Sequence, residues 1–394
     1  MFKNKNLLVL SHTYNSFIKD PVETLAKDFN KVYVLVRYQP IAELGNFIPL
    51  GIFQSRKKYS KRYSIDLRNK PDNVEVIPVP LWYLPFSFFY KFVGKQHANK
   101  VLKILKKQQI EFDLIHAHFA WSAGYAGMKV KEKYGKPLVV TGHGYDIYDM
   151  PFRNKDWHMK IKKVLENSDS LLTVSENNRD LIAKMGVEKD VTVLSNGFSS
   201  DLFFYMAKSE AKEKLGFDEK HKVILSIGNL EKVKGYDILI KALNIVSKKR
   251  KDFIFIHIGE GVEEKNIRSL ISEFELEDNV KLLGRRPHSE LVYYYGLCDF
   301  FVSSSRLEGN PTVMFESLGC GKPFIGTKVG GVVDIINSED YGKLVDSEDV
   351  EALAESILWA LEKKWDNEKI AEYGKQYSWE NINKKVLKIY KEIL

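Results

Sequence analysis

Short apolar runs alternate with stretches of helical spacing along the whole chain, and this is the sequence form of βαβ units around a parallel sheet. The runs predict strands near Asn6 to Ser11, Lys31 to Arg37, Val74 to Val79, Asp113 to Ala117, Leu138 to Gly142, Ser170 to Ser175 and Val191 to Leu194. The pattern then restarts, with strands near Lys222 to Ile227, Phe253 to Ile258, Val280 to Leu283, Phe300 to Ser304, Pro323 to Thr327 and Lys343 to Val345. Between the two series lies SNGFSSDLFF, residues 195–204, where Asn196-Gly197 and Ser199-Ser200-Asp201 supply turn chemistry. The fold class is therefore α/β, with two doubly wound parallel-sheet domains. Such sheets bind ligands beyond the carboxyl ends of their strands, so two facing each other would create a central cleft. The end of the chain, YSWENINKKVLKIYKEIL, puts Trp379, Ile382, Val386, Ile389 and Tyr390 on one face of a final amphipathic helix.

Length agrees with two domains, because 394 residues exceed what one core usually serves. Hydrophobic content of 44% and charged content of 28% are those of a globular protein. Cys298 and Cys320 stand outside any CxxC or Cys/His cluster, which argues against a disulfide framework or a zinc site and fits a reducing, cytoplasmic compartment. The opening MFKNKNLLVLSHTY reads as a first strand rather than a signal peptide or anchor.

The net charge of +8 is unevenly placed, since residues 51–110 hold 13 Lys or Arg against 3 Asp or Glu, a local +10. That block attracts polyanions. Within it, LWYLPFSFFYKFVGKQHANKVLKILKK, residues 81–107, sets Trp82, Tyr83, Phe86, Phe88, Phe89 and Tyr90 beside lysines. An anionic membrane surface at the inner face of the cell membrane would suit it; the competing reading is aromatic side chains in a core with lysines on a solvated helix face.

Four segments carry candidate chemistry. The strand DFFVSSS runs into Arg306-Leu307-Glu308-Gly309-Asn310-Pro311 and a helix, with Asn310 suited to the N-cap and Pro311 to the first helical position. Amides at such a helix start favour an anion, and Gly309 admits close backbone approach. Farther along, Glu316 has Thr312, Val313, Gly319 and Cys320 as its helical neighbours, so no local cation pairs with it. A carboxylate so placed accepts hydrogen bonds well, and a ribose diol offers two; the bland alternative is a capping Glu308 and an exposed Glu316.

The second segment, LSIGNLEKVKGYDILI, residues 225–240, ends a strand at Gly228 and starts a helix near Gly235, with Lys234 between, where it can neutralise phosphate. Its spacing is not that of a P-loop. The third, TGHGYD, delivers His143 and Asp146 past a strand's carboxyl end, and IHAHF places His116 and His118 on one strand face. Metal ligation by these histidines would need further ligands. Finally, Gly284 and Gly330-Gly331 follow strands in the second half, each as a close-approach point or a plain turn.

In this order, GNLEKVKG, SSSRLEGNPTVMFESLGCGKP and VGGVVDII resemble the donor domain of the retaining glycosyltransferase family 4, and TGHGYD, VLSNGFSSDLFF and the terminal YSWE helix extend the likeness over nearly the whole chain. The resemblance implies the GT-B fold, two Rossmann-like domains, with an acceptor-binding domain over 1–198, a donor-binding domain over 199–376 and a helix at 377–394 returning to the first. It implies a nucleotide-diphosphate sugar as donor and a glycan or lipid-linked acceptor, as in polysaccharide or glycoconjugate synthesis. Glu308 would hold donor-sugar hydroxyls, the amides of Gly309, Asn310, Pro311 and Thr312 would line sugar or phosphate, and Glu316 would grip the ribose. Lys234 would bind the diphosphate, His143 would lie beside the reacting sugar, and Gly228 would admit the pyrophosphate.

Two places depart from the family pattern. Asn229 stands where many members carry an arginine, which shifts the load to Lys234, helix dipoles and Arg285 or Arg286. The loop SHTYNSFIKDPVETLA lacks the usual paired glycines. No Asp-x-Asp occurs, so no metal is expected on the diphosphate and no cofactor beyond the donor. Two rivals stand beside the transferase: a sugar-nucleotide epimerase or phosphorylase on the same fold, and a basic nucleic-acid-binding protein, for which no binding motif is present.

Overall fold

The computed structural model describes residues 2–46, 59–83, 87–217 and 221–394, with only the backbone at 44–46 and 87–89. The chain divides into two compact units, Met1–Ser195 with Ile382–Leu394, and Asn196–Asn381.

In the first unit a seven-stranded sheet has the order β3-β2-β1-β4-β5-β6-β7. Its strands are β1 (Phe2–Ser11), β2 (Phe29–Tyr38), β3 (Val74–Pro80), β4 (Leu114–His118), β5 (Leu138–Gly142), β6 (Ser170–Thr173) and β7 (Val191–Val193). The second unit's six-stranded sheet runs β10-β9-β8-β11-β12-β13. Here the strands are β8 (Lys222–Ile227), β9 (Phe253–Ile258), β10 (Val280–Leu282), β11 (Phe300–Ser303), β12 (Phe324–Thr327) and β13 (Gly342–Val345). Every pairing between these strands is parallel.

Each predicted apolar run overlaps a strand, most with ends that differ by one or two residues. The widest difference is at β1, which starts at Phe2 because that ring is buried and stacks on Phe29 at 5.3 Å, drawing the polar residues 3–5 into the ladder. In the second sheet successive residues serve opposite cores: Val223 and Leu225 join one cluster, Ile224 the other, and Phe301 and Phe300 divide the same way. That is the period of two in a sheet covered on both faces. Each fully buried Leu, Ile or Phe contributes on the order of 1.5–3 kcal/mol, so the runs that mark the strands also supply the cores.

The last helix, Trp379–Ile393, buries Trp379, Ile382, Val386, Leu387 and Tyr390. Leu387 rather than Ile389 completes the face, and Asn383 Nδ2 donates to Pro21 O at 2.9 Å. The basic aromatic stretch separates into two kinds of residue. Tyr83 and Tyr90 pack on the first unit's core, as do Val93, Val101 and Leu105 of the helix Ser87–Lys107, whereas Trp82 and Phe92 are exposed. Phe86 and the side chains of Phe88 and Phe89 lie outside the described residues. Among the described residues no helix is long and apolar enough to cross a membrane.

Candidate functional site

In each sheet two neighbouring strands feed the chain outward in opposite directions, and the crevice at their carboxyl ends is where such sheets hold ligands. In the second unit these strands are β8 and β11. The loop after β8 ends at Gly235, whose φ is +64°, and a Cβ there would stand 2.0 Å from Ser304 O, so only glycine lets the two loops touch. Ser304 Oγ donates to Lys234 O at 3.1 Å, and Arg306 N to Val233 O at 2.8 Å. With the loops so joined, Lys234 Nζ donates to Glu308 Oε1 at 2.6 Å, and Ser305 Oγ reaches the same oxygen at 2.8 Å. Arg306, by contrast, grips both oxygens of Asp237 at 2.8 Å and pairs with Glu348, so its charge is committed to holding the loop.

The loop after β12 closes on the same turn. Gly330 has φ +50°, its missing Cβ would lie 2.0 Å from Glu308 O, and Gly331 N donates to Gly309 O at 2.8 Å. The glycine pair fixes the Glu308–Gly309 backbone. Asn310 is not the N-cap of the helix Thr312–Gly319: Pro311 holds that position, in an extended conformation. The Asn310 side chain accepts from Asn196 N at 3.1 Å, and its carbonyl accepts from Asn196 Nδ2 at 2.7 Å. A buried amide at the unit's first residue is the stronger claim on that oxygen.

Glu316 is buried, with 6% exposure, which removes the reading of an exposed carboxylate. Nor is it without partners, because Tyr295 Oη donates to Oε2 at 2.9 Å and His288 Nε2 lies 3.4 Å from Oε1. Both come from the segment His288–Leu297, beyond the reach of helical spacing. Two oxygens offer about four lone-pair sites, so room remains for two hydroxyl donors. Gly228 N donates to Ile258 O at 3.0 Å, and a Cβ on Gly228 would approach Tyr236 Oη to 2.9 Å. Asn229 and Arg285 are exposed, and the Arg286 Nε donates to Tyr294 Oη at 3.3 Å.

In the first unit the corresponding strands are β1 and β4, and the residues at their ends are rings. His12 stacks on Phe119 at 4.4 Å, and Ser122 N donates to His12 Nε2 at 3.1 Å. His143, past the neighbouring β5, faces Phe17 at 4.9 Å and Phe119 at 4.7 Å, with its Nε2 3.0 Å from His118 Nδ1. His116 stacks under His118 at 4.3 Å and bonds Tyr390 Oη at 2.6 Å and Thr141 Oγ1 at 2.7 Å, so His116 is structural. His118 Nε2 and His143 Nδ1 are buried with no hydrogen-bond partner.

Burial pushes His118 down to about 4 and holds His143 well below the ordinary histidine range, with the neighbouring His118 adding to the effect. These imidazoles are neutral near pH 7. Asp146 is buried and accepts from the amides of Ala120 (2.7 Å), Gly144 (3.0 Å) and His143 (3.2 Å), which fixes the turn that carries His143. Among the described residues no three His, Cys, Asp or Glu side chains are grouped as a metal site requires.

The structure thus gathers Lys234, Glu308 and Gly309 at one crevice, places Glu316 and Asn310 on the following helix and its approach, and sets His143 in the other unit. His12, Phe119, His288 and Tyr295 had no signal of their own in the sequence, and Asn196 was read only as turn chemistry.

Residues 207–377 match the family model described as glycosyl transferases group 1, and residues 57–202 match that described as Glycosyltransferase Family 4. An uncharacterised glycosyltransferase of Methanocaldococcus jannaschii is 29% identical over 309 residues, covering 77% of this chain and 82% of that protein. N-acetyl-alpha-D-glucosaminyl L-malate synthase of Bacillus anthracis is 25% identical over 304 residues, covering 75% and 77%. Among solved structures, the sucrose-phosphate synthase of Thermosynechococcus elongatus superposes with a TM-score of 0.75 at 20% identity, over 98% of this chain and 99% of that one. HepE of Anabaena, in complex with UDP, gives 0.73 at 21% identity, over 98% and 100%. The fold is that of these proteins.

Proposed function

The chain belongs to the group 1, family 4 glycosyltransferases, and from that premise we propose that it moves a hexosyl-type sugar from a nucleotide-diphosphate donor to a glycan or lipid-linked acceptor, with retention of configuration. The observation that carries this reading is the Lys234–Glu308 pair at the β8/β11 crevice. It sets a cation for the diphosphate beside a carboxylate for sugar hydroxyls, on loops that two glycines lock together. When donor binds, Lys234 turns to the phosphate oxygens, and Glu308 accepts from the sugar. Glu316, braced by Tyr295, accepts from the ribose diol. The leaving diphosphate gains charge as the glycosidic bond breaks, and Lys234 with the amides at Gly309 and Thr312 offsets that charge, the type of term that dominates such barriers.

His143 is assigned to a hydroxyl of the transferred sugar through its unpaired Nδ1. Retention follows if the acceptor oxygen attacks on the face from which the diphosphate departs, giving its proton to a departing phosphate oxygen. This chemistry needs no metal. Trp82, Phe92 and the lysines of Ser87–Lys107 are assigned to an anionic membrane surface that presents the acceptor.

The test is acceptor-dependent release of nucleoside diphosphate from a panel of nucleotide sugars with membrane extract, UDP sugars first because the Anabaena protein of this fold holds UDP. Release only with acceptor supports transfer. An isomerised donor without acceptor, or sugar phosphate formed only with inorganic phosphate, overturns it in favour of an epimerase or phosphorylase.

A further inference from the structure

Arg37 lies near the carboxyl end of β2 in the first unit, with its side chain buried at 8% exposure. Its Nη1 donates to Ser122 Oγ at 3.1 Å and its Nη2 to Tyr90 Oη at 2.9 Å, and the guanidinium lies 5.4 Å from the Tyr90 ring centre. These partners are neutral. Among the described residues no carboxylate pairs with Arg37, and the stretches 47–58 and 84–86 of this unit contain no Asp or Glu. A guanidinium always carries its charge, and an unpaired charge in a protein interior costs more than hydroxyl partners return. The buried charge of Asp146 in this unit meets its needs internally, with three amides. Arg37 does not.

A second group points the same way. His97 is fully buried, its Nδ1 is 3.0 Å from the same Ser122 Oγ, and its Nε2 has no partner. Ser122 Oγ already accepts from Arg37, so its one proton is available to His97 Nδ1. A neutral imidazole that accepts at Nδ1 carries its hydrogen at Nε2. His97 therefore holds an unused N–H donor, joined through one serine hydroxyl to an unneutralised guanidinium. Ser122 itself lies in the short helical turn Ala120–Gly124 after β4 and is tied by its amide to His12 on the loop after β1, which puts the pair at the border of the β1/β4 crevice.

We propose that Arg37 and His97 form an oxyanion subsite in the first unit, and that the acceptor carries a phosphate or carboxylate group bound there. Naming this group as part of the acceptor rests on the transfer reading above; the anion site itself does not. The planar fork of Arg37 matches either oxyanion, and a charge-assisted contact in a dry site is among the stronger ones available.

The test is thermal denaturation of the full chain titrated with inorganic phosphate and, separately, malonate, at an ionic strength held constant with sodium chloride. A ligand that binds only the native state raises the melting temperature in a saturable way. The expected result is such a rise with at least one anion, with affinity weakened about 10- to 100-fold in Arg37→Met, the loss of a charge-assisted pair of hydrogen bonds. A response to phosphate alone or malonate alone identifies the acceptor's group. Arg37→Lys, which keeps the charge and loses the fork, covers the case in which circular dichroism shows the methionine variant unfolded, and it should weaken binding about tenfold. No response beyond that of chloride overturns the subsite, as does an unchanged response in a folded variant. Failure of acceptor-dependent release in the earlier assay would leave this titration standing.

Discussion

The two sheets carry the same crossing of strands but equip it oppositely. At β8/β11 the crevice is built from charges, with Lys234 on Glu308 at 2.6 Å and Arg306 on Asp237 at 2.8 Å. At β1/β4 it is built from neutral rings, with His12 on Phe119 and His143 against Phe17 and Phe119, and the nearby carboxylate of Asp146 is occupied by amides. A crevice that receives a diphosphate needs cations kept charged by a partner that can be exchanged. One that receives hydroxyls needs neutral donors and acceptors at its centre, with positive charge confined to a border position such as that of Arg37. The shared topology supplies the location, and residue type divides the labour.

The sharpest way to break this contrast is to remove the charge from the second crevice. Lys234→Ala should lower kcat/KM by about 10²–10³, the scale expected when one preorganised group stabilising a developing anion is lost. Far-ultraviolet circular dichroism should be unchanged, since Lys234 is partly exposed and touches no core cluster. Activity within a few-fold of the parent chain would show that the diphosphate is handled elsewhere.

The neutral crevice has its own signature in pH. Burial holds His118 at about 4 and His97 at about 3, the latter with Arg37 adding, and it lowers His116 as well. Unfolded, each binds a proton near 6.5, so below that value the unfolded chain takes up more protons than the native one. The stability these groups contribute is complete above pH 6.5 and is lost as pH falls toward 4. Each histidine that must charge costs up to about 1.4 kcal/mol per pH unit. In the second unit His257 is likewise pushed down to about 4 by burial, against the several lowered histidines of the first. Hydrogen exchange measured between pH 7 and 4.5 should therefore show protection lost first from peptides of residues 2–195. Loss beginning in 196–381 would reverse the assignment.

What could be read in advance follows the range of the contacts involved. The strands were legible because each apolar run is its own evidence, buried on both faces. Lys234, Glu308 and His143 were legible as loop residues after strands. Asn310 was misread as a cap, since nothing near it in sequence announces Asn196, 114 residues away, as the donor for its oxygen. For Glu316 helical spacing showed only that no local cation pairs with it, because that survey covers one helix, whereas Tyr295 and His288 arrive from the preceding segment His288–Leu297. Arg37 gave no signal at all: among many surface cations its burial depends on Tyr90 and Ser122, 53 and 85 residues on.

The finest distinction lies at Asn229, exposed on the same loop as Lys234. If the second crevice works through net positive charge, a further cation there should help, but only as far as an exposed group can. Solvent limits such a contribution to about 1 kcal/mol, so Asn229→Arg should raise kcat about two- to fivefold at low salt. The gain should fade as ionic strength rises, because a cation at the rim is screened while the Lys234–Glu308 pair, partly buried, is screened less. Steady-state rates at two salt concentrations separate these cases. A gain that persists at high salt would mean that the new side chain contacts the diphosphate directly and shares its load with Lys234. No gain at low salt would mean that the crevice already carries all the charge its leaving group can use.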